Sequence, residues 1–276
     1  RATNQTQYLQ EARNRVSLML AKQHETGYFI ADDGDRPFYH AVDAGLPIIA
    51  LARYMAIDSA SDARQSARTM IAKHLNYLVS VTYETKIANP FGYARQHIKT
   101  GNMIKSSFFI PHDNETGYWW QGENARLASL AAAALIGGRL IGGDSLSSLG
   151  VRQDLHDFAM TQLNWIMGQN PLDICFMAGV GRNNPPSYGA GKPPYHGHLD
   201  GGISNGITGK DGRNDGSGID WNPSFPSDES WKNWRWVEQW IPHVHWYLLA
   251  TAASAELRPP STYVHKSAQM SSALRI

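Results

Sequence analysis

A carboxylate set among aromatic rings is the residue pattern in this chain best suited to proton transfer. Glu238 lies in NWRWVEQWIPHVHWYLLATAA, with tryptophans on both sides. Rings packed around a carboxyl group strip its water and raise its pKa, which is what a general acid needs near neutral pH. Arg235, three residues earlier, could instead pair with it on an exposed helix face, and the pattern alone leaves both readings open. Asp43, in ADDGDRPFYHAVDAG, is a second candidate, because it falls among apolar residues in a helical pattern and aspartate is seldom buried without a partner. Asp32, Asp33 and Asp35 in the same stretch read as caps of the following helix or as solvated side chains.

Aromatic side chains form the next group. Trp119 and Trp120 follow Tyr118, and Trp221, Trp231, Trp234, Trp236, Trp240 and Trp246 crowd the C-terminal third. Flat rings on loops suit stacking on sugar faces, whereas rings at helical spacing more often fill a core. Tyr118, Trp119, Trp120 and Trp231 are therefore candidates for substrate contact, and Trp240 and Trp246 for the core. His196 and His198 stand in the Gly/Pro-rich loop NNPPSYGAGKPPYHGHLDGG, where they could donate hydrogen bonds to a ligand or bind a metal. Asp200 is the only close additional ligand, so no metal is expected there. KDGRNDGSGID fails the calcium-loop pattern, since Arg213 occupies its third ligand position. Phosphate-cradle and H-E-x-x-H patterns are absent, and no cofactor is expected.

The elements that must position these groups read as helices. Apolar residues recur at three- and four-residue steps over about 5–22, 40–56, 60–83, 119–137, 151–167 and 235–256. Ser61 suits an N-cap, Gly137-Gly138 and Gly168 suit helix ends, and Pro242 should kink the last helix or mark its true start. Strand signals are almost absent. Two long irregular stretches, about 84–118 and 168–234, carry Trp, Tyr, His and Asp, and read as ordered loops over a binding face. The expected class is all-α, a helical barrel or bundle with its loops at one end.

Composition narrows the partners. A chain of 276 residues with 42% hydrophobic content can bury a core without staples, and its single cysteine, Cys175, excludes an intrachain disulfide. The net charge of +1 provides no footprint for nucleic acid or an anionic membrane, and no apolar run reaches the roughly 18 residues of a membrane span. The start at RATNQTQYLQ, without Met or a signal core, suggests a mature or truncated product.

QLNWIMGQNPLDICFMAGVGRNNPP resembles a hallmark of glycoside hydrolase family 9, in which a helix ends at Gly-x-Asn-Pro and a proline- and histidine-rich loop follows. Gly168, Asn170, Pro171, Phe176, Gly179 and Gly181 fall in register. YWWQGENARLASLAAAAL resembles the family's Tyr-Trp-Gly-Ser-Asn segment, and VEQWIPHVHWYLLATAA resembles its last helix. The resemblance implies an (α/α)6 barrel and inverting hydrolysis of β-1,4-linked glucan, with Glu238 as general acid. It also implies oligosaccharide or polysaccharide as the partner. The family's base, the second Asp of Asp-Ala-Gly-Asp, has no counterpart: VDAGLP places Leu46 there and makes Asp43 a cavity-facing helix start. Six helices are half of twelve, so residues 1–276 are expected to be the C-terminal part of one catalytic domain, completed by an upstream segment that supplies the base. YHGH in place of Pro-His-His-Arg, together with an acidic Asp43, resembles the exo-β-glucosaminidase branch. A cellulase-type specificity and a non-catalytic carbohydrate-binding helical domain are the alternatives.

Overall fold

The computed structural model describes residues 5–31, 34–38, 42–58, 62–83, 88–110, 122–142, 150–186, 199–209, 219–220 and 234–256. Helices dominate them: α1 (Thr6–Ala21), α2 (Leu46–Met55), α3 (Asp62–Tyr83), α4 (Glu123–Ile141), α5 (Gln153–Ile166), the single turn α6 (Trp234–Val237) and α7 (Ile241–Ala255). Two small antiparallel pairs, β1 (Gln96–Thr100) with β2 (Met103–Ser107) and β3 (Thr208–Gly209) with β4 (Ile219–Asp220), complete the elements.

Helix α4 is the centre of the fold. Its sequence ENARLASLAAAALIGGRLI is apolar all round after the first turn, and a helix of that kind must be covered on every side. It packs against α2, α3, α5 and α7. Gly137 and Gly138, expected at its C-terminus, lie inside the helix instead. A Cβ at Gly137 would come 2.6 Å from Ile48 Cγ2, and one at Gly138 2.5 Å from Val151 Cγ2. These glycines serve close helix packing rather than termination.

Cross-links between helix ends fix their directions. Arg68, early in α3, donates to the carbonyl of Gly142 just after α4. Arg139, late in α4, donates to Glu256 and to the carbonyl of Ala253 at the end of α7. Arg13 of α1 pairs with Asp58 beyond the end of α2 at 2.8 Å. Helices α1, α3 and α5 thus run one way and α2, α4 and α7 the other. The connections 22–45, 84–122 and 167–240 all begin and end at the same end of the helices.

Three sequence readings need correction. The stretch 84–118 is not wholly irregular: QHIKT and MIKSS form a hairpin around Gly101-Asn102, with Gly101 at φ +59°. Glycine at the first position of a two-residue loop between alternating residues was a readable hairpin signal. Helix α2 starts at Leu46, not near residue 40, because Pro47 suits the first turn and Gly45 presses on α4; a Cβ at Gly45 would lie 2.0 Å from the Ser129 carbonyl oxygen. Asp43 therefore sits in the turn before α2 rather than on a helix. Helix α4 begins at Glu123, not at 119. Pro242 marks the true start of α7, and Ser61 lies outside the described residues.

Candidate active site

Glu238 is held by a ribbon of extended segments laid across the first turn of α4. Residues 203–206 are the middle segment, joined to its neighbours by isolated bridges at Met177–Ile203 and Ser204–Gln239. On one side Ser204 N–H donates to the Phe176 carbonyl at 3.1 Å, and Ala178 N–H to Gly202 at 2.9 Å. On the other, Asn205 N–H donates to the Glu238 carbonyl at 2.9 Å and Gly206 N–H to that of Trp236 at 3.0 Å. The ribbon is fastened to α4 by Asn124, whose backbone N–H donates to the Asn205 carbonyl at 3.0 Å and whose Nδ2 donates to that of Ser204 at 2.8 Å. Gly206, at φ +87°, makes this approach possible: a Cβ there would lie 2.7 Å from the Asn124 amide.

The Glu238 side chain is half-buried. Loss of water raises its pKa, and hydrogen bonds from Trp240 and Asn205 oppose the rise without cancelling it. The net direction favours the protonated carboxyl, the state from which a general acid acts. Trp240 is fixed in turn by His243, whose Nδ1 lies 3.1 Å from the Trp240 backbone N–H and which burial holds neutral, with its pKa lowered to about 4. Trp236 is fully buried 6.4 Å from Phe176 and anchors α6 beneath the ribbon.

The motif residues around Gly168 have a structural task. Asn170 Nδ2 donates to the carbonyls of Trp165 and Ile174, both at 2.8 Å, while its Oδ1 accepts from the N–H groups of Leu172 and Ile174. One buried amide thus closes the end of α5 and turns the chain toward Phe176, the edge of the ribbon that carries Glu238. Beside it, Glu123 and Arg126 form a buried ion pair at 2.8 Å, capped by the Tyr93 hydroxyl, which donates to Glu123. Trp165 packs edge-on against Tyr93 at 4.5 Å.

Asp43 accepts a hydrogen bond from Trp246 Nε1 at 3.1 Å, which joins the α2 entry to the first half of α7. Trp246 is buried, as expected of a core residue, whereas Trp240 is half-buried and reaches the Glu238 carboxyl. Asp35 stays in solvent, with its side chain 71% exposed, and bonds Lys99 of β1 at 2.5 Å. Tyr118, Trp119, Trp120, His196, His198 and Trp231 lie outside the described residues. Among the described residues no three His, Cys, Asp or Glu side chains gather as a metal site would require. An apolar groove of about 520 Å³, lined by Leu18, Met19, Phe29, Ile30, Phe38 and Pro47, involves neither Glu238 nor Asp43.

Sequence reasoning missed Asn205, Asn124 and His243. Asn124 and Asn205 act through a contact far along the chain, whereas His243 bonds Trp240 three residues away and Glu123 and Arg126 are likewise three residues apart on one helix face.

A family model described as Glycosyl hydrolase family 9 matches residues 1–201. The chain belongs to glycoside hydrolase family 9. Membership supports glycoside hydrolase activity on β-glucans and a carbohydrate substrate. The match covers the Asn170 staple, the α4 ion pair and Asp43, and stops before Glu238. No curated protein matches the chain.

Proposed function

We propose that the chain is the C-terminal part of an (α/α)6-barrel, inverting glycoside hydrolase that cleaves β-1,4-linked gluco-oligosaccharides or polysaccharides, with Glu238 as its general acid. One observation carries this reading: a half-buried carboxyl with a raised pKa, fixed by Asn205 and Trp240 at the helix end where the long connections meet. In the proposed step Glu238 protonates the glycosidic oxygen as the bond to the anomeric carbon breaks. Water attacks that carbon from the opposite face, its proton taken by a second carboxylate about 6.5–9.5 Å from Glu238. That base is proposed to lie on a segment outside these 276 residues, because Leu46 stands where the family's base would be. Tyr118, Trp119, Trp120, Trp231, His196 and His198 are proposed to hold the sugar.

Asp43 is proposed to favour glucosamine-containing substrates. A half-buried carboxylate such as Asp43 can pair with a 2-ammonium group, which glucose lacks. Cello-oligosaccharides are the competing substrate class.

The test is product NMR with cello- and chitosan-oligosaccharides, using the protein together with its natural upstream segment. An initial α-anomer that disappears in Glu238→Gln supports the proposal, and hydrolysis retained in that variant overturns it. Binding without product in the wild-type protein favours the non-catalytic carbohydrate-binding reading. Stability against pH checks the variant's fold. Because the native carboxyl holds its proton more tightly than the unfolded one, wild type loses stability as pH rises through the native pKa, and Glu238→Gln does not.

A further inference from the structure

A small polar pocket lies between the C-terminal half of α3, the β1–β2 hairpin and the turn at Thr26. It is lined by Thr26, Tyr77, Ser80, Arg95, His97 and Ser106 and has a volume of about 260 Å³. Arg95 is the only lysine or arginine among the described residues that line it, and the residue is 5% exposed. Its Nη1 donates to the Val81 carbonyl at 3.3 Å, its Nη2 to Ser106 Oγ at 3.0 Å, and its guanidinium lies 4.9 Å from the centre of the Phe108 ring. Its Nε is buried with no hydrogen-bond partner among the described residues, and none of their carboxylates pairs with it. A buried guanidinium without a counter-charge is costly, and an anion is the natural compensation.

The other lining groups present donors to such an anion. Ser80 and Ser106 contribute hydroxyls on two different segments, and Thr26 adds a third whose Oγ1 lies 3.0 Å from His24 Nδ1 and must turn from it to meet an anion. Burial raises the Tyr77 pKa and keeps its proton on the phenol. The Tyr77 oxygen accepts the His97 backbone N–H at 2.8 Å and lies 3.0 Å from His97 Nδ1. With the phenol proton directed to Nδ1, the neutral imidazole carries its own proton on Nε2 as a further donor. Among the described residues, none of those lining the pocket is an Asp or Glu that would repel an anion.

We propose that this pocket binds a small tetrahedral oxyanion, inorganic phosphate or a sulfate or phosphate group of that size, with Arg95 as its charged anchor and the Thr26, Ser80 and Ser106 hydroxyls around it. An anion held there braces the hairpin against α3. Ala94 and Phe108, flanking the hairpin, offer their carbonyls to Arg126 of α4, so the brace extends to the first turn of α4. This site is separate from Glu238 and does not depend on the hydrolytic reading.

The test uses the full chain in thermal melts and 31P NMR, with inorganic phosphate titrated against chloride at constant ionic strength. The expected result is a phosphate-specific rise in Tm that saturates, with 31P line broadening of the same midpoint. Arg95→Met should weaken phosphate binding by about tenfold or more, as loss of a charge-assisted contact implies. Ser80→Ala, which leaves Arg95 and its packing in place, should weaken it less, and it preserves the test if Arg95→Met fails to fold. A rise that never saturates and is equal in wild type and variants is general salt exclusion and overturns the proposal. So does the absence of a phosphate-specific response in wild type.

Discussion

Replacing Glu123 by Gln removes one charge from a pair that water does not reach. Glu123 is 1% and Arg126 0% exposed. Arg126 Nε donates to Glu123 at 2.8 Å, Nη2 donates to the carbonyls of Ala94 and Phe108 at 3.1 and 3.3 Å, and Nη1 has no partner among the described residues. Losing one member of a buried pair costs about 3–5 kcal/mol, because the remaining charge stays desolvated. Gln keeps an acceptor oxygen near Arg126 and the Tyr93 hydroxyl, which places the expected loss at the lower end, about 3 kcal/mol. For a chain of this size that corresponds to a drop in Tm of roughly 6 °C. Urea unfolding measures it as a lower midpoint at unchanged slope. In the background of Arg126→Met the same substitution should cost at least about 2 kcal/mol less, since no buried cation is then abandoned. A loss below about 1 kcal/mol in Glu123→Gln, or strict additivity of the two substitutions, would refute the assignment of the α4 start to this pair.

Gly137→Ala should destabilise by about 1–2 kcal/mol, the crowding of Ile48 and Ile71 outweighing the better helix propensity of alanine; a higher melting temperature would contradict the close-packing role. His74 is buried with its pKa lowered to about 4, so the unfolded chain takes up its proton first, and stability present above about pH 6.5 is lost as pH falls toward 4. His74→Gln should flatten that part of a denaturation-against-pH curve, and an unchanged slope would rule the histidine out as its source. Asp43→Asn, assayed with both oligosaccharide series, should lower kcat/KM for chitosan oligosaccharides about tenfold more than for cello-oligosaccharides; equal losses would remove the case for glucosamine preference.

Helix identity was legible from period alone wherever an apolar stripe faced chiefly one neighbour, as α5 faces α4, and the desolvation of the Glu238 carboxyl was legible from the rings around it. Boundaries were less so. Gly137-Gly138 carries the same letters as a helix end, and only the packing of Ile48 and Val151 against it shows why the helix continues. Asp43 reads as helical until Gly45 meets α4 and Pro47 sets the first turn of α2.

The sequence by itself determined a helix-rich chain with one lone cysteine, a family hallmark around Asn170, and a carboxylate set among aromatic rings. Tertiary structure alone decided what meets that carboxylate from far along the chain: Asn205, fastened to Asn124 of α4 eighty-one positions earlier. It also decided that Arg95 is buried without a carboxylate among the described residues, in a pocket assembled from three separate segments. The physical reason is common to both sites. Periodicity and propensity act over one or two helical turns, whereas desolvation and hydrogen-bond satisfaction depend on which distant segments the fold brings into contact.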